Sequence, residues 1–429
     1  MNPPEIAFLS KAEIKAHQDA LLRKAVRYAG EHSPFFRACF SERGISIDDI
    51  QKTEDLQLLP TVSKDDLFSR NDDFLSVPKS SIREYVTTSG TLGDPVWIAL
   101  TDADLNRLGQ NEAYSYALAG LTPDDLIQLT TTLDKRFMAG LAYWLGARTS
   151  KTGIIRTGPG IPELQWDTIH RMKTTVLIAV PSFLLKMIEF AEKEGIDPNQ
   201  SSVNKIICIG EPLRKPDLTA NALCTRILEK WNVKLFGTYA GTEMATAFTE
   251  CEAGQGGHLN PDLIIVECLD DEGKPVPEGE IGEITVTPLG VEGMPLLRFR
   301  TGDLARIHHS PCSCGRNTPR VGPVEGRKQQ MIKYRGTTLY PPAIFDLLNG
   351  IPRIETYVVE LRQNETGTDE ILIKAAVQNP DEEFEKFLKD KFRAKLRVSP
   401  QFKVEPPEVI NALKWPESNR KPRLLIDMR

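Results

Sequence analysis

Nowhere in these 429 residues does an apolar run approach the length that crosses a bilayer. The amino-terminal Met1-Asn2-Pro3-Pro4-Glu5 also lacks the basic-then-apolar layout of a secretory leader. A membrane protein is therefore not expected, and a cytoplasmic one is. Positive charge is not in excess: 53 Lys and Arg stand against 59 Asp and Glu, a net charge of -6. That argues against a nucleic-acid surface, while a local basic patch can still hold a phosphorylated small molecule. Cysteine is scarce and odd in number, seven in all, scattered except for Cys312 and Cys314. A disulfide framework is not expected, and the thiols are left for metal or for burial in a reducing compartment. Internal repeats and low-complexity tracts are missing as well.

What remains is ordinary globular composition, 40% hydrophobic and 26% charged, over a length that exceeds one core. Two or more domains are expected. Hydrophobic periodicity predicts an amphipathic helix over 11–29, with Ile14, Leu21, Ala25 and Tyr28 on one side. Short β-rich runs at 82–86, 126–131, 175–180, 205–209 and 233–237 read as strands, with helices at 183–194 and 216–231. Segments 282–288 and 304–308 suggest an antiparallel sheet or barrel. Beyond about residue 328 the pattern becomes helix 342–348, strands 356–361 and 370–377, helix 381–396 and strand 402–404, a compact α+β unit. The fold class is α/β: a large N-terminal domain of several subdomains with an antiparallel β element, residues 1–328, and a small α+β domain, residues 329–429.

Four motifs carry chemistry. Thr87-Thr88-Ser89-Gly90-Thr91-Leu92-Gly93-Asp94-Pro95 concentrates hydroxyls and glycines after a strand. Its backbone amides can approach a polyanion closely, yet no Gly-Lys-Ser/Thr follows, so it is not a Walker A loop. Thr238-Tyr239-Ala240-Gly241-Thr242-Glu243 follows a strand directly, at the sheet end where open α/β folds bind ligands. Phe299-Arg300-Thr301-Gly302-Asp303 offers a carboxylate after a glycine turn, suited to a ribose diol. Gly326-Arg327 through Lys333-Tyr334-Arg335-Gly336 brackets the domain boundary with basic residues and glycines.

In this order the motifs resemble the adenylate-forming superfamily of acyl-CoA synthetases, and within it the phenylacetate–CoA ligase branch. The glycine loop is similar to that family's Ser-Ser-Gly-Thr-Thr-Gly, residues 239–243 to its Tyr-Gly-x-Ser/Thr-Glu, and 299–303 to its Tyr-Arg-Thr-Gly-Asp. Gly326 to Gly336 is similar to its Gly-Arg…Arg-Gly crossover. Gly195-Ile196-Asp197-Pro198 followed by Gly210-Glu211-Pro212 resembles a pair typical of the branch. The resemblance implies carboxylate plus ATP giving acyl-adenylate and pyrophosphate, then displacement of AMP by coenzyme A. It implies Mg²⁺ on Glu243, the α-phosphate at Thr242, and the β- and γ-phosphates at Ser89, Gly90, Thr91 and Gly93. Asp303 and Arg327 would meet the ribose, and Gly210, Glu211 and Pro212 the adenine, with Tyr239, Ala240 and Gly241 in the nucleotide site. The small domain would rotate between half-reactions, bringing Lys421 for adenylation and the Arg335-Gly336 side for thioester formation. The implied partners are a carboxylic acid, ATP and coenzyme A, with neither nucleic acid nor membrane; a homodimer is compatible with this.

Departures from the family pattern are Arg420 for a glycine before Lys421, Pro422 after it, Val96 in place of a lysine, and Gln329 at the hinge position. Two alternatives stay open: an adenylating enzyme that delivers to an amine or carrier protein, and, motivated by Gln329 and Arg420, a non-catalytic nucleotide-binding homologue. The acid is expected to be aryl or hydrophobic, entering among Phe137, Ala139, Gly140, Tyr143, Pro181, Gly210, Tyr239 and Ala240, residues that would serve equally as core. Finally, Cys251 and His258 follow the Glu243 segment, and Cys312 and Cys314 follow the Asp303 loop. Three thiolates and an imidazole are the ligand set of a closed structural Zn²⁺ site, expected beside the active site, where it would fix Glu243 relative to Asp303. Plain buried thiols are the other reading.

Overall fold

The computed structural model describes residues 5–88, 96–334, 337–363, 369–416 and 422–429. The chain divides into two compact units, Met1–Thr219 with Arg226–Pro323, and Ala220–Thr225 with Val324–Arg429.

In the first unit a mixed sheet holds five neighbouring parallel strands among the described residues. Their order is Gly153–Arg156, Leu126–Leu129, Val176–Ala179, Lys205–Ile209 and Lys234–Gly241. Val176–Ala179 is buried at every position, which is why it reads as a continuous apolar run rather than an alternating one. The helix Pro181–Glu194 opens on proline and closes on Gly195 at φ 68, the left-handed stop that glycine enters without strain. Past Lys234–Gly241 the sheet turns antiparallel through Thr246–Glu250, Gly257–His258, Arg320–Val321 and Ile307–His308. Strands Ile264–Leu269, Gly282–Pro288 and Phe299–Ala305 form the expected antiparallel element.

Several local expectations shift. The helix Lys11–His32 buries Ile14, Leu22, Val26 and Ala29, one position round from the Leu21, Ala25 and Tyr28 side. The helix expected at 216–231 shrinks to Ala222–Leu228. Before it, Asp217 accepts from the Thr219 amide at 3.0 Å and Leu218 sits at φ 66, so a turn wins over helix. The strand expected at 82–86 is Glu84–Thr87, and it pairs antiparallel with Trp97–Leu100, a strand the sequence did not announce.

In the second unit Ile354–Gln363 pairs antiparallel with Asp369–Val377, flanked in parallel by Leu425–Asp427 and Gln401–Val404. Strand alternation sends Val358 and Val359 to opposite faces. Val359 joins Phe384, Leu388 and Phe392 of the helix Glu382–Leu396. Val358 joins Ile410 of the helix Pro407–Lys414, so both faces are covered.

Candidate functional site

Strand Lys234–Gly241 is longer than its sequence suggested, so Tyr239, Ala240 and Gly241 lie in the strand itself and not after it. The turn is confined to 242–245, because Gly241 pairs with Thr246 and the chain returns as Thr246–Glu250. Thr242 and Glu243 therefore head a four-residue hairpin loop. Both are half-buried and line a cavity of about 10 Å³, room for roughly one water.

Asp303 directly follows the glycine its motif contains. It lies within strand Phe299–Ala305, where Gly302 at φ 77 accompanies a register shift against Gly282–Pro288. Glu283 holds this bulge, accepting from the Gly302 amide at 3.0 Å and from Arg300 Nε at 2.7 Å. The bulge aims Asp303 at Tyr239, whose hydroxyl donates to Asp303 Oδ2 at 2.9 Å. Two motifs 64 residues apart thus meet through one charge-assisted bond.

At the end of Lys205–Ile209, Gly210 takes φ 78 and leads to Glu211 and Pro212. Glu211 Oε2 accepts the Ser182 amide at 2.8 Å, capping the helix that begins at Pro181. This ties the Gly210–Pro212 turn to the adjoining helix start. Glu250 also braces the middle of strand Lys234–Gly241, accepting the Gly237 amide at 3.0 Å and pairing with Arg214 at 3.2 Å. In the expected acyl pocket Phe137 precedes the helix Met138–Ser150 and is half-buried, as is Ala139. Gly140 approaches so closely that a Cβ there would lie 2.0 Å from the Thr132 carbonyl oxygen. Tyr143 is 2% exposed and packs with Leu129, Ile178 and Phe236, so its ring serves the core.

Ser89, Gly90, Thr91, Gly93, Arg335, Gly336, Arg420 and Lys421 lie outside the described residues. Arg327 belongs to the second unit and is exposed at the end of the short strand Gly326–Arg327.

The Cys and His residues do converge. The ligand atoms of Cys251, His258, Cys312 and Cys314 all lie within 4.8 Å of one another. The Sγ atoms of Cys251 and Cys312 are 3.6 Å apart, and Cys314 Sγ is 3.4 Å from His258 Nε2. Tetrahedral zinc bonds of about 2.3 Å to sulfur and about 2.0–2.1 Å to nitrogen place such pairs about 3.8 and about 3.6 Å apart. The set fits that ion. His258 Nδ1 is 2.8 Å from Thr318 Oγ1, a partner that leaves Nε2 facing the thiols. Burial, with Arg316 and Arg320, lowers the His258 pKa to about 3, so the ring is neutral and able to ligate. Burial pushes Cys251 up to about 12. Burial raises Cys314 too, but hydrogen bonds with the Arg316 backbone and side chain, Cys312 and Cys251 together outweigh it, and the thiol stands below its usual range.

The location differs from expectation. Cys251 lies at the far end of the strand that begins after Ala245, roughly 20 Å away at about 3.3 Å per residue. The cluster instead abuts the amino-terminal turn, packing Cys251 and Cys312 with Ala7, Tyr114 and Leu118. Thr318, Arg214 and Glu250 had no signal in the sequence, since each matters only through a partner brought by the fold.

The AMP-binding enzyme family profile matches residues 45–291. A phenylacetate-coenzyme A ligase of Thermus thermophilus is 30% identical over 385 residues, 89% of this chain and 85% of that protein. The Escherichia coli phenylacetate-coenzyme A ligase is 27% identical, over 80% of this chain and 77% of that one. A crystal structure of 2-hydroxyisobutyryl-CoA ligase with 2-HIB-AMP covers 100% of this chain and 94% of its own, at 23% identity and a TM-score of 0.87, a likeness of fold. No helix among the described residues is long and apolar enough to cross a membrane. The chain belongs to the AMP-binding enzyme family, among the relatives of the phenylacetate-coenzyme A ligases.

Proposed function

We propose that this chain is an AMP-forming acid–CoA ligase acting on phenylacetate or a related aryl or hydrophobic carboxylate. A carboxylate oxygen attacks the α-phosphorus of ATP and pyrophosphate leaves. The coenzyme A thiolate then attacks the acyl carbon and AMP leaves. The observation that carries the reading is the Tyr239–Asp303 bond, which joins the two nucleotide motifs at one place.

Approach of one anion to another needs positive charge and fixed donors where charge collects. We assign Lys421, in a mobile C-terminal domain of residues 329–429, to neutralise the reacting carboxylate and α-phosphate. The Thr242 hydroxyl donates to the α-phosphate, and Ser89, Gly90, Thr91 and Gly93 hold the outer phosphates. Asp303 accepts from the ribose hydroxyls with Tyr239 orienting it, Arg327 adds a second contact, and the Gly210–Pro212 turn borders the adenine. Arg335 and Gly336 serve the thioester step. Glu243 would hold Mg²⁺, a hard cation that takes few protein carboxylates and offsets phosphate charge. Cys251, His258, Cys312 and Cys314 would hold one Zn²⁺ as a structural cross-link with no open position. The half-buried Phe137 and Ala139, with Gly140, Pro181 and Ala240, support an apolar acyl site. Seven cysteines, none joined in a disulfide among the described residues, support a reducing, cytoplasmic setting.

The test is mass spectrometry of the product formed from phenylacetate, ATP, Mg²⁺ and free coenzyme A. Phenylacetyl-CoA with AMP is expected. Turnover only with a protein or amine acceptor contradicts the reading. Lys421→Ala should slow adenylation by about a hundredfold or more. It should spare thioester formation from supplied acyl-adenylate; equal loss of both steps refutes the assignment.

A further inference from the structure

Arg107, on the helix Asp102–Leu118, is 5% exposed, and among the described residues its hydrogen bonds go to no carboxylate. Its guanidinium is spent on backbone carbonyls instead. Nε donates to Leu289 O at 2.7 Å, Nη1 to Ala245 O and Nη2 to Leu263 O. One turn earlier Asp104, 3% exposed, collects amides: Thr101 N at 3.0 Å, Glu292 N at 2.9 Å and Gly293 N at 2.9 Å. Two opposite charges on one helical face thus grip loops that are distant in sequence. Burying a charge is costly, and an apolar side chain would pack this space without that cost. What a guanidinium adds is direction, since its planar fork sets where each carbonyl points.

One of those carbonyls closes the loop that carries Thr242 and Glu243. Ala245 stands at φ 48, a conformation that residues with a Cβ rarely adopt. Within the loop the Ala245 amide donates to Thr242 O at 3.2 Å, and Thr246 Oγ1 to Met244 O at 2.7 Å. Arg107 supplies the hold from outside the hairpin. Asp104, Arg107, Thr242, Glu243 and Ala245 line the same small cavity.

We infer that Arg107 is a positioning residue for the metal–nucleotide contact of Glu243, holding Ala245 in its left-handed conformation so that the 242–245 loop presents its carboxylate in one place. The inference rests on Glu243 being the Mg²⁺ residue. It does not rest on Arg107 touching substrate.

The experiment measures the affinity of the protein for the Mn²⁺–α,β-methylene-ATP complex by water-proton relaxation enhancement, so that neither turnover nor the identity of the acid enters. Arg107→Lys keeps the charge but cannot reach three carbonyls. If about a tenth of molecules keep the competent loop, affinity falls about tenfold. Ala245→Gly in that background removes the Cβ penalty and should recover most of the loss. A folded Arg107→Lys with unchanged affinity for that complex overturns the inference, and so does a loss that Ala245→Gly leaves uncorrected. Should Arg107→Lys not fold, Ala245→Val strains the same loop with Arg107 intact, and unchanged affinity there overturns it equally. Glu243→Gln separates the two claims. Unchanged affinity for the complex in that variant refutes Glu243 as the metal residue, whereas weakened binding there with none in Arg107→Lys refutes only the role of Arg107.

Discussion

Replacing Thr318 by valine probes the proposed zinc site without touching any of the four residues assigned to it. Thr318 is 3% exposed and its hydroxyl lies 2.8 Å from His258 Nδ1. Valine keeps the shape but removes the oxygen, so the ring loses the partner that keeps Nε2 toward Cys314. Loss of such an outer contact typically weakens metal binding about 10- to 100-fold, or about 1.4–2.7 kcal/mol. Counting the same change as a buried N–H left unsatisfied gives about 1–3 kcal/mol, a concordant figure. The assay is competition for zinc against a chromophoric chelator, beginning with protein purified without added metal. Wild type should carry about one zinc per chain, the stoichiometry of a single four-ligand site. Thr318→Val should release it at a chelator concentration about ten or more times lower. An identical release midpoint refutes the orienting role of Thr318. Wild-type protein without zinc refutes the site itself.

Glu112 is buried, and burial raises its pKa from 4.5 to about 7 against weaker help from Asn111 and Ser115. Because the folded state holds this proton more tightly than the unfolded chain, its contribution to stability is fully present below about pH 4.5. That contribution is lost as pH rises through 7. At about 1.4 kcal/mol per tenfold the loss is about 3 kcal/mol. Urea unfolding of Glu112→Gln should therefore lack a fall between pH 5 and 7.5 that wild type shows, and parallel profiles would contradict this. Tyr239→Phe removes the donor to the buried Asp303 carboxylate, a bond of the charged class worth about 1.5–3 kcal/mol. It should raise the KM for ATP about tenfold or more, and an unchanged KM would show Asp303 to be held by other means.

The parts of this fold legible in the sequence are those set by local pattern. Lys205–Ile209, an apolar run, and Gly282–Pro288, a β-rich alternation, have the bounds their sequences imply, because a strand's own side chains announce it. The convergence of Cys251, His258, Cys312 and Cys314 was also legible, from ligand chemistry, but its place was not. That depended on the return strand Thr246–Glu250, which carries Cys251 away from the loop holding Glu243. Trp97–Leu100 was missed for a similar reason: four residues beyond a glycine loop declare themselves only by pairing. Arg107 and Asp104 look like an ordinary solvated helix face in the sequence. Their burial is imposed by the 289–293 loop, whose carbonyl and amides reach them across nearly two hundred residues.

The central claim is that a carboxylate and ATP react here to form an acyl-adenylate. Pyrophosphate–ATP isotope exchange, run without coenzyme A across a panel of carboxylic acids, measures that step alone. The account predicts label entering ATP only when an acid is present, fastest with aryl or hydrophobic acids, and dependent on Mg²⁺. Tight ATP binding with no acid-dependent exchange for any member of the panel would contradict it.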